Sequence, residues 1–164
     1  MYLSIQQIKQ SGFTGFKTVA ELWNDHSIIP NEKGIYVIIN PDCSKNNFIP
    51  KGVGGFFKGK DPNLSVNDLK LKWIDNCHVL YIGQAGGNGS SSTLKKRLKQ
   101  YLDFGRGKPI GHFGGRLIWQ LSHHRELIVA WKASGDIDAR VLEKDLIQKF
   151  VAFYGKLPFA NLSN

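Results

Sequence analysis

Two short segments rich in β-branched and aromatic residues constrain the fold of this chain more than any other feature. The segment KGIYVIIN (residues 33–40) lies between Pro30 and Pro41, and the segment CHVLYIG (residues 77–83) ends in glycine. Runs of this length and composition, bounded by proline and glycine, are typical of buried β-strands. A third run, ELIVAWKA (residues 126–133), has the same character. The sequence therefore predicts a small sheet of three strands, mixed or antiparallel.

The segments around these strands have the spacing of apolar residues that amphipathic helices require. Helices are expected over residues 3–10, 16–25, 94–104 with Thr93 as N-cap, and from Asp136 or Asp138 to Tyr154, with a shorter helical element over residues 115–121. In the longest helix the residues predicted to face inward are Ile137, Val141, Leu142, Leu146, Phe150 and Phe153.

Strands and helices alternate without an internal repeat or a linker. Hydrophobic residues make up 41% of the 164 positions and aromatic residues 12%, which is enough to build one core. We therefore expect residues 1–164 to form a single α/β (α+β) domain with a small sheet flanked by helices.

The charge balance is strongly basic, with 22 Lys and Arg against 13 Asp and Glu and a net charge of +9. Residues 93–116 hold seven of these cations and one acid, Asp103. Clustered cations favour a polyanionic partner because phosphate binding releases counterions, although a solvated helix face is the commoner explanation of such a run. The candidate nucleic-acid-binding residues are Lys95, Lys96, Lys99, Arg106, Lys108, His112 and Arg116.

Several other partner classes are disfavoured because their motifs are missing from the sequence. The glycines of QAGGNGSSS (residues 84–92) lack the spacing of a Walker A loop or a dinucleotide-binding fingerprint, so no nucleotide cofactor is expected. Cys43 and Cys77 form no CxxC motif, and no segment has the character of a signal peptide or the length of a transmembrane helix. We therefore expect a cytoplasmic protein that does not bind membranes.

Short motifs on the predicted strands and helices resemble those of the GIY-YIG nuclease superfamily. GIY occupies residues 34–36 on the first strand, and YIG occupies residues 81–83 on the second. Arg97 lies on the helix that follows, Glu143 on the longest helix, and Asn161 in the tail segment LPFAN. Either tripeptide alone occurs by chance, but five elements in this order and on these predicted structures match the family.

The resemblance implies hydrolysis of phosphodiester bonds in DNA, with RNA not excluded, by one divalent cation, Mg²⁺ or Mn²⁺. Such a reaction needs a water that loses a proton and positive charge close to the phosphate. The site residues that the family implies are Tyr36 and Tyr81 for the water, Arg97 and Tyr101 for the phosphate, Glu143 for the metal and Asn161 as a brace.

The resemblance covers about residues 33–161, which leaves residues 1–32 as an N-terminal helical extension. In the family the first two strands are usually joined by a short turn. Here residues 41–77 form a long insertion. Such an insertion carries target recognition or simply packs against the sheet, and the sequence favours neither role.

A second departure from the family concerns the cation beside the first tyrosine. A free tyrosine has a pKa near ~10, so its use in deprotonating water requires nearby positive charge. Some members carry a lysine shortly after YIG, whereas residues 84–93 hold none. The lysines of residues 51–60 are the alternative source of charge for Tyr36.

Three histidines have no counterpart in the family motifs. His112 and Arg116 are candidates for lining the substrate channel, whereas His123 and His124 are expected to be exposed to solvent.

Two other functions remain open beside a metal-dependent endonuclease. One is a catalytically silent nucleic-acid-binding module on the same fold, which would keep the basic stretch but have no need of Glu143. The other is a protein-interaction domain whose basic surface is incidental, and a salt-independent DNA affinity would identify it. The presence of Tyr36, Arg97 and Glu143 together favours the endonuclease.

Overall fold

The computed structural model describes residues 3–162. Within this range helices and strands alternate, which confirms the predicted α/β class. No helix of these residues is long and apolar enough to cross a lipid bilayer. The elements are α1 (Ile5–Gln10), β1 (Thr14–Thr18), α2 (Val19–Asn24), β2 (Gly34–Ile39), α3 (Val66–Lys72), β3 (Val79–Ala85), α4 (Leu94–Phe104), β4 (Ile128–Ala133) and α5 (Ala139–Tyr154), with two 3₁₀-helices (Arg116–Gln120 and His124–Glu126) before β4.

The sheet of the described residues has four strands, all antiparallel, in the order β1-β4-β2-β3. The sequence predicts three strands because residues 16–25 have the spacing of a helix, yet the helix begins only at Val19. Thr18 ends β1 and caps α2, since its hydroxyl accepts a hydrogen bond from the Glu21 N–H at 3.1 Å. The Glu21 carboxylate in turn accepts one from the Thr18 N–H at 2.9 Å, which completes a capping box.

The start of the predicted helix is a strand because of its contact with β4. Gly15 and Phe16 have φ angles of 90° and 52°, which a helix excludes, and the register of the pairing shifts there. The Trp131 ring lies against Gly15, where an added Cβ would come within 2.6 Å of it. Apolar spacing within residues 16–25 contains no information about this distant partner, so local periodicity alone predicts a helix.

Helices cover both faces of the sheet. On one face α2, α3 and α4 pack with the first 3₁₀-helix around side chains that include Tyr36, Tyr81 and Trp131. On the opposite face α1 and α5 pack against residues such as Ile35 and Val37. Because β3 is an outer strand, groups from α4 on one face and α5 on the other can meet beside it.

The inward face of α5 differs from the prediction. Ile137, Val141 and Phe153, three of the six residues predicted to face inward, are more than half exposed, at 53%, 58% and 58%. Hydrophobic spacing cannot predict that a glutamate is buried, so it selects a neighbouring stripe of the helix. The buried residues of α5 are Ala139, Glu143, Ile147 and Phe150.

The insertion between β2 and β3 is attached to the rest of the domain by apolar and polar contacts. The rings of Phe48 and Trp73, both in the insertion, lie 5.7 Å and 5.2 Å from that of Phe159, measured between centroids. The Gln120 amide binds the Leu64 backbone twice, accepting from its N–H at 2.9 Å and donating to its carbonyl at 2.8 Å. The insertion therefore packs against the domain, and a role in target recognition stays a prediction.

Residues that follow α5 lie along the outer side of β3. The Ala160 N–H donates to the Leu80 carbonyl at 2.8 Å. The Asn161 side chain accepts from the Ile82 N–H and donates to the Ile82 carbonyl, both at 2.9 Å. This tail therefore satisfies backbone groups of β3 that no further strand pairs with.

Candidate functional site

A polar recess of about 320 Å³ opens beside β3, where parts of the chain that are distant in sequence meet. β3 supplies Tyr81, α4 supplies Arg97, and the first two turns of α5 supply Arg140 and Glu143. Of the six residues that the family resemblance implies, four line the recess: Tyr81, Arg97, Glu143 and Asn161. Its lining residues are Tyr81, Gln84, Arg97, Gly114, Arg140, Glu143, Asn161 and Leu162.

Arg97 is placed by the packing of α4. Thr93 caps this helix by accepting a hydrogen bond from the Lys96 N–H at 3.3 Å. The inner face of α4, which includes Leu94 and Leu98, is fully buried against the core. Arg97 directly precedes Leu98 and is half-buried. Its guanidinium can therefore reach the recess from the border of the apolar face.

Glu143 provides the recess with a carboxylate that is only 7% exposed. Its Oε2 accepts a hydrogen bond from Arg140 Nη1 at 2.8 Å, across one turn of α5. Burial raises the pKa of the Glu143 carboxyl above its usual value, although the charges of Arg140, Arg97 and Lys144 act in the opposite direction. The carboxylate is therefore paired with Arg140, with Arg97 lining the same recess, in a poorly solvated position.

Arg140 and Gln84 line the recess although the sequence analysis does not select them. Arg140 precedes Glu143 by three positions, a spacing that places two side chains next to each other on a helix. This spacing from Glu143 is the feature of the sequence from which Arg140 could be predicted to lie at the site. Gln84 follows YIG directly, and its side-chain carbonyl accepts from the Gly87 N–H at 2.9 Å, which ties the small-residue turn after β3 to the recess.

Asn161 acts as a brace in the literal sense. Both ends of its amide are bonded to the backbone of Ile82, the central residue of YIG, and the side chain is buried. Tyr81, which directly precedes Ile82 on β3, lines the recess. The position of the tail and that of the second motif are therefore fixed to each other.

Three tyrosine rings form one cluster behind and beside the recess. Ring centroids lie 5.9 Å apart for Tyr36 and Tyr81, and 5.7 Å apart for Tyr81 and Tyr101. Tyr36 is fully buried, and its ring lies so close to Gly83 that a Cβ there would come within 2.5 Å of it. Tyr101 is also buried, and its hydroxyl donates to the Gly115 carbonyl at 2.6 Å. Of the three, Tyr81 is the one that lines the recess.

These positions change the roles that the resemblance implies for the tyrosines. Burial raises the pKa of Tyr36 and of Tyr101 well above the ordinary tyrosine value, so neither forms a phenolate at neutral pH. The pKa of Tyr81 is also raised by burial, while Tyr36 and Arg97 lower it. Tyr36 and Tyr101 therefore lie within the core behind the recess, and a direct contact of either with a phosphate or a water stays a prediction.

Arg97 is the cation that acts on Tyr36. Its charge lowers the pKa of both Tyr36 and Tyr81, against the effect of burial. Two lysines of the 51–60 segment, Lys58 and Lys60, line a separate recess instead. Assistance to Tyr36 from the lysines of residues 51–60 stays a prediction.

Several cations of the basic stretch are engaged within the protein. Asp103 forms ion pairs with Lys99 at 2.7 Å and with Lys108 at 3.4 Å. The Arg106 guanidinium lies 5.4 Å from the centre of a Trp23 ring and donates to the Trp23 carbonyl. These contacts compete with phosphate, whereas Lys95 and Lys96 are exposed on the outer side of α4.

The histidines differ from what the sequence predicts. His112 is fully buried and stacks on Tyr101 with ring centroids 4.5 Å apart, so it lines no substrate channel and cannot contact nucleic acid in this structure. His123 is 8% exposed rather than solvent-exposed, and its Nε2 lies 3.1 Å from Asn40 Oδ1. His124 is half-buried, close to the rings of Trp23 and Trp119. Arg116 lies outside the recess described above and lines the separate one.

A divalent cation would find one carboxylate here. Among residues 3–162 no group of three His, Cys, Asp or Glu side chains is placed to hold a metal ion. The Glu143 oxygen that is not bonded to Arg140 fits a hard cation that keeps most of its water ligands, as Mg²⁺ does. Glu143, Arg97 and Arg140 together carry one net positive charge. These residues therefore favour a bound cation only when a phosphate adds negative charge.

No family model, curated protein or solved structure matches this chain. The function must therefore be argued from the chemistry and geometry of the recess.

Proposed function

We propose that this chain is an endonuclease of the GIY-YIG type, which hydrolyses phosphodiester bonds in DNA with one divalent cation. The observation that carries the proposal is the meeting of Tyr81, Arg97 and Glu143 around one polar recess, from three different elements. Each has a chemical property that the reaction uses: a hydroxyl for the water, a guanidinium for the phosphate and a carboxylate for the metal.

In this proposal Arg97 binds the scissile phosphate and stabilises the charge that develops on it. Arg140, which is ion-paired with Glu143, is the second guanidinium within the recess. An ordinary tyrosine is already neutral at physiological pH, and burial raises the pKa of Tyr81 further, so Tyr81 is a neutral hydroxyl. Tyr81 therefore orients the attacking water by hydrogen bonding, and Tyr36 fixes the Tyr81 ring from behind.

Mg²⁺ or Mn²⁺ would be held by Glu143 and by the substrate phosphate. When bound, such an ion supplies Lewis-acid stabilisation of the phosphate and of the leaving oxygen. Because Arg140 is paired with the carboxylate and the charge of Arg97 also acts on it, we expect the affinity for metal to be low until DNA is bound.

Nicking of supercoiled plasmid in the presence of Mg²⁺ or Mn²⁺ tests the proposal. Glu143→Ala removes the carboxylate of the recess and should abolish nicking. Asp145→Ala is the matched control, since Asp145 lies two positions further along α5 and is exposed. It is ion-paired with Lys149 at 2.7 Å, much as Glu143 is with Arg140. This control should keep wild-type activity.

Nicking that survives Glu143→Ala would contradict the proposal, and so would nicking that is lost equally in a folded Asp145→Ala variant. Thermal unfolding of both variants separates damage to the fold from damage to the site.

A catalytically silent nucleic-acid-binding module is the second candidate. The ion pair between Glu143 and Arg140 and the complete burial of Tyr36 favour it, since the carboxylate already has a partner and the tyrosine is out of reach of a substrate in this structure. It predicts salt-dependent DNA binding by wild type and Glu143→Ala alike, with no metal-dependent nicking of plasmid, single-stranded or branched DNA.

A further inference from the structure

A second recess lies next to the candidate active site. The segment that contains Phe113 and Gly114 separates the two. None of the roles assigned above uses the second recess. Its volume is about 720 Å³, and it is formed by the insertion on one side and the glycine-rich segment before the first 3₁₀-helix on the other. The side chains that matter here are Phe57, Lys58, Lys60, Phe113 and Arg116.

Aromatic rings and cations alternate in this recess. The Phe57 and Phe113 rings lie 6.4 Å apart between centroids and are tilted by 57°. Lys58 Nζ lies 5.3 Å from the centre of Phe57, and the Arg116 guanidinium lies 5.2 Å from that of Phe113. A wall of this kind offers π-faces for stacking beside positive charges for phosphate.

Arg116 has hydrogen-bonding capacity left over. Its Nη1 donates to the Phe113 carbonyl at 3.3 Å, but its Nε is buried and has no partner within the described structure. Burial lowers the pKa of the guanidinium slightly from its usual range. A buried donor without a partner on a cationic side chain favours an anionic or strongly polar ligand close by.

The recess has a net positive charge. Lys58, Lys60 and Arg116 face one acid, Asp61, whose carboxylate already accepts hydrogen bonds from the backbone and side chain of Asn63. Next to it Phe56 is also exposed, at 54%. Positive charge around solvent-facing aromatic rings distinguishes this surface from an ordinary apolar protein contact.

We propose that this recess binds an unpaired nucleobase of the nucleic-acid substrate, with Lys58, Lys60 and Arg116 on the flanking phosphates. The inference rests on the proposed function for its choice of ligand, and it names the substrate class: nucleic acid with a locally open or easily opened strand. Aromatic stacking accepts any of the bases, because each has a π-face. Opening the duplex costs least where a base is already unpaired.

The two recesses are close enough to act on one strand. Gly114 lines the candidate active site and its neighbour Phe113 lines the second recess. Consecutive Cα atoms are about 3.8 Å apart. A base held against Phe113 therefore belongs to a nucleotide near the scissile phosphate in Arg97's recess.

Binding of labelled duplexes in EDTA tests this proposal without cleavage. The two probes share one sequence, and one of them carries a single unpaired nucleotide. Wild type should bind the second probe more tightly. Phe57→Ala should weaken that binding by about 5- to 150-fold, the range for loss of one base–aromatic stack, and change binding of the paired probe less than about twofold.

Two variants control for bulk and for general aromatic loss. Phe57→Leu keeps an apolar side chain without a π-face and should behave as Phe57→Ala does. Phe153→Ala removes a phenylalanine of α5 that does not line this recess, and this variant should bind both probes as wild type does. Lys58→Ala with Lys60→Ala should reduce the salt slope of log affinity by about 1 to 2.

Equal affinity of the wild type for the two probes overturns the inference, as does an equal loss on both in Phe57→Ala or full binding by Phe57→Leu. The outcome is independent of nicking. Loss of probe selectivity with intact Glu143-dependent nicking overturns the base site alone, whereas selective binding without nicking overturns the nuclease alone.

Discussion

Replacing Asn161 with alanine should lower the free energy of unfolding more than the loss of an ordinary tail residue would. The change removes two hydrogen bonds of 2.9 Å and leaves the Ile82 N–H and carbonyl without those partners in a buried position. Each group left unsatisfied costs about 1–3 kcal/mol, reduced where water can enter beside an outer strand. We expect a loss of about 2–4 kcal/mol in the free energy of unfolding, or about 4–16 °C in Tm for a chain of this size.

Urea denaturation followed by circular dichroism measures this loss, and amide hydrogen exchange locates it. The Ile82 amide should be protected in the wild type and exchange rapidly in Asn161→Ala. Asn67→Ala, at an exposed position of α3, is the control and should change stability by less than about 0.5 kcal/mol. A loss below about 1 kcal/mol in Asn161→Ala, with Ile82 still protected, would refute the bracing role.

Three further changes test the core and charge of the site. Gly83→Ala would force a Cβ to within 2.5 Å of the Tyr36 ring and should cost about 1–3 kcal/mol of unfolding free energy, read from urea titrations. Arg140→Ala removes a charge that lowers the pKa of Glu143, so carboxyl NMR should show that pKa shifting upward. The pKa of buried His112 is held well below 6.5, so below that pH the unfolded chain takes up a proton that the folded chain does not. Stability should therefore fall as pH falls from 7 to 5, by up to about 1.4 kcal/mol per pH unit, and less steeply in His112→Phe.

The strands and the position of Arg97 could be predicted because short-range physics determines them. β2 and β3 are runs of apolar residues bounded by glycine and proline, and the structure contains both within two residues of the predicted bounds. Arg97 follows from a Thr93 cap and from apolar residues that fix the rotation of α4.

Features that depend on distant partners could not be predicted. β1 exists because Thr14–Thr18 pairs with β4, more than a hundred positions away. Glu143 faces inward although hydrophobic spacing favours its neighbours, because Arg140 and Arg97 compensate its charge. Tyr101 carries a hydroxyl at the right helical position, yet the Gly115 carbonyl takes its hydrogen bond. No local pattern reveals which of three tyrosines remains accessible.

The hydrogen bonds from Asn161 to Ile82 have a consequence for the solubility of the protein. An outer strand with open backbone groups invites strands of other molecules to pair with it and so begins aggregation. The tail occupies these groups on β3, while a bulge between Gly15 and Lys17 disrupts the regular pairing of β1 at the other border of the sheet. We therefore expect Asn161, which braces the candidate active site, also to protect the chain from self-association.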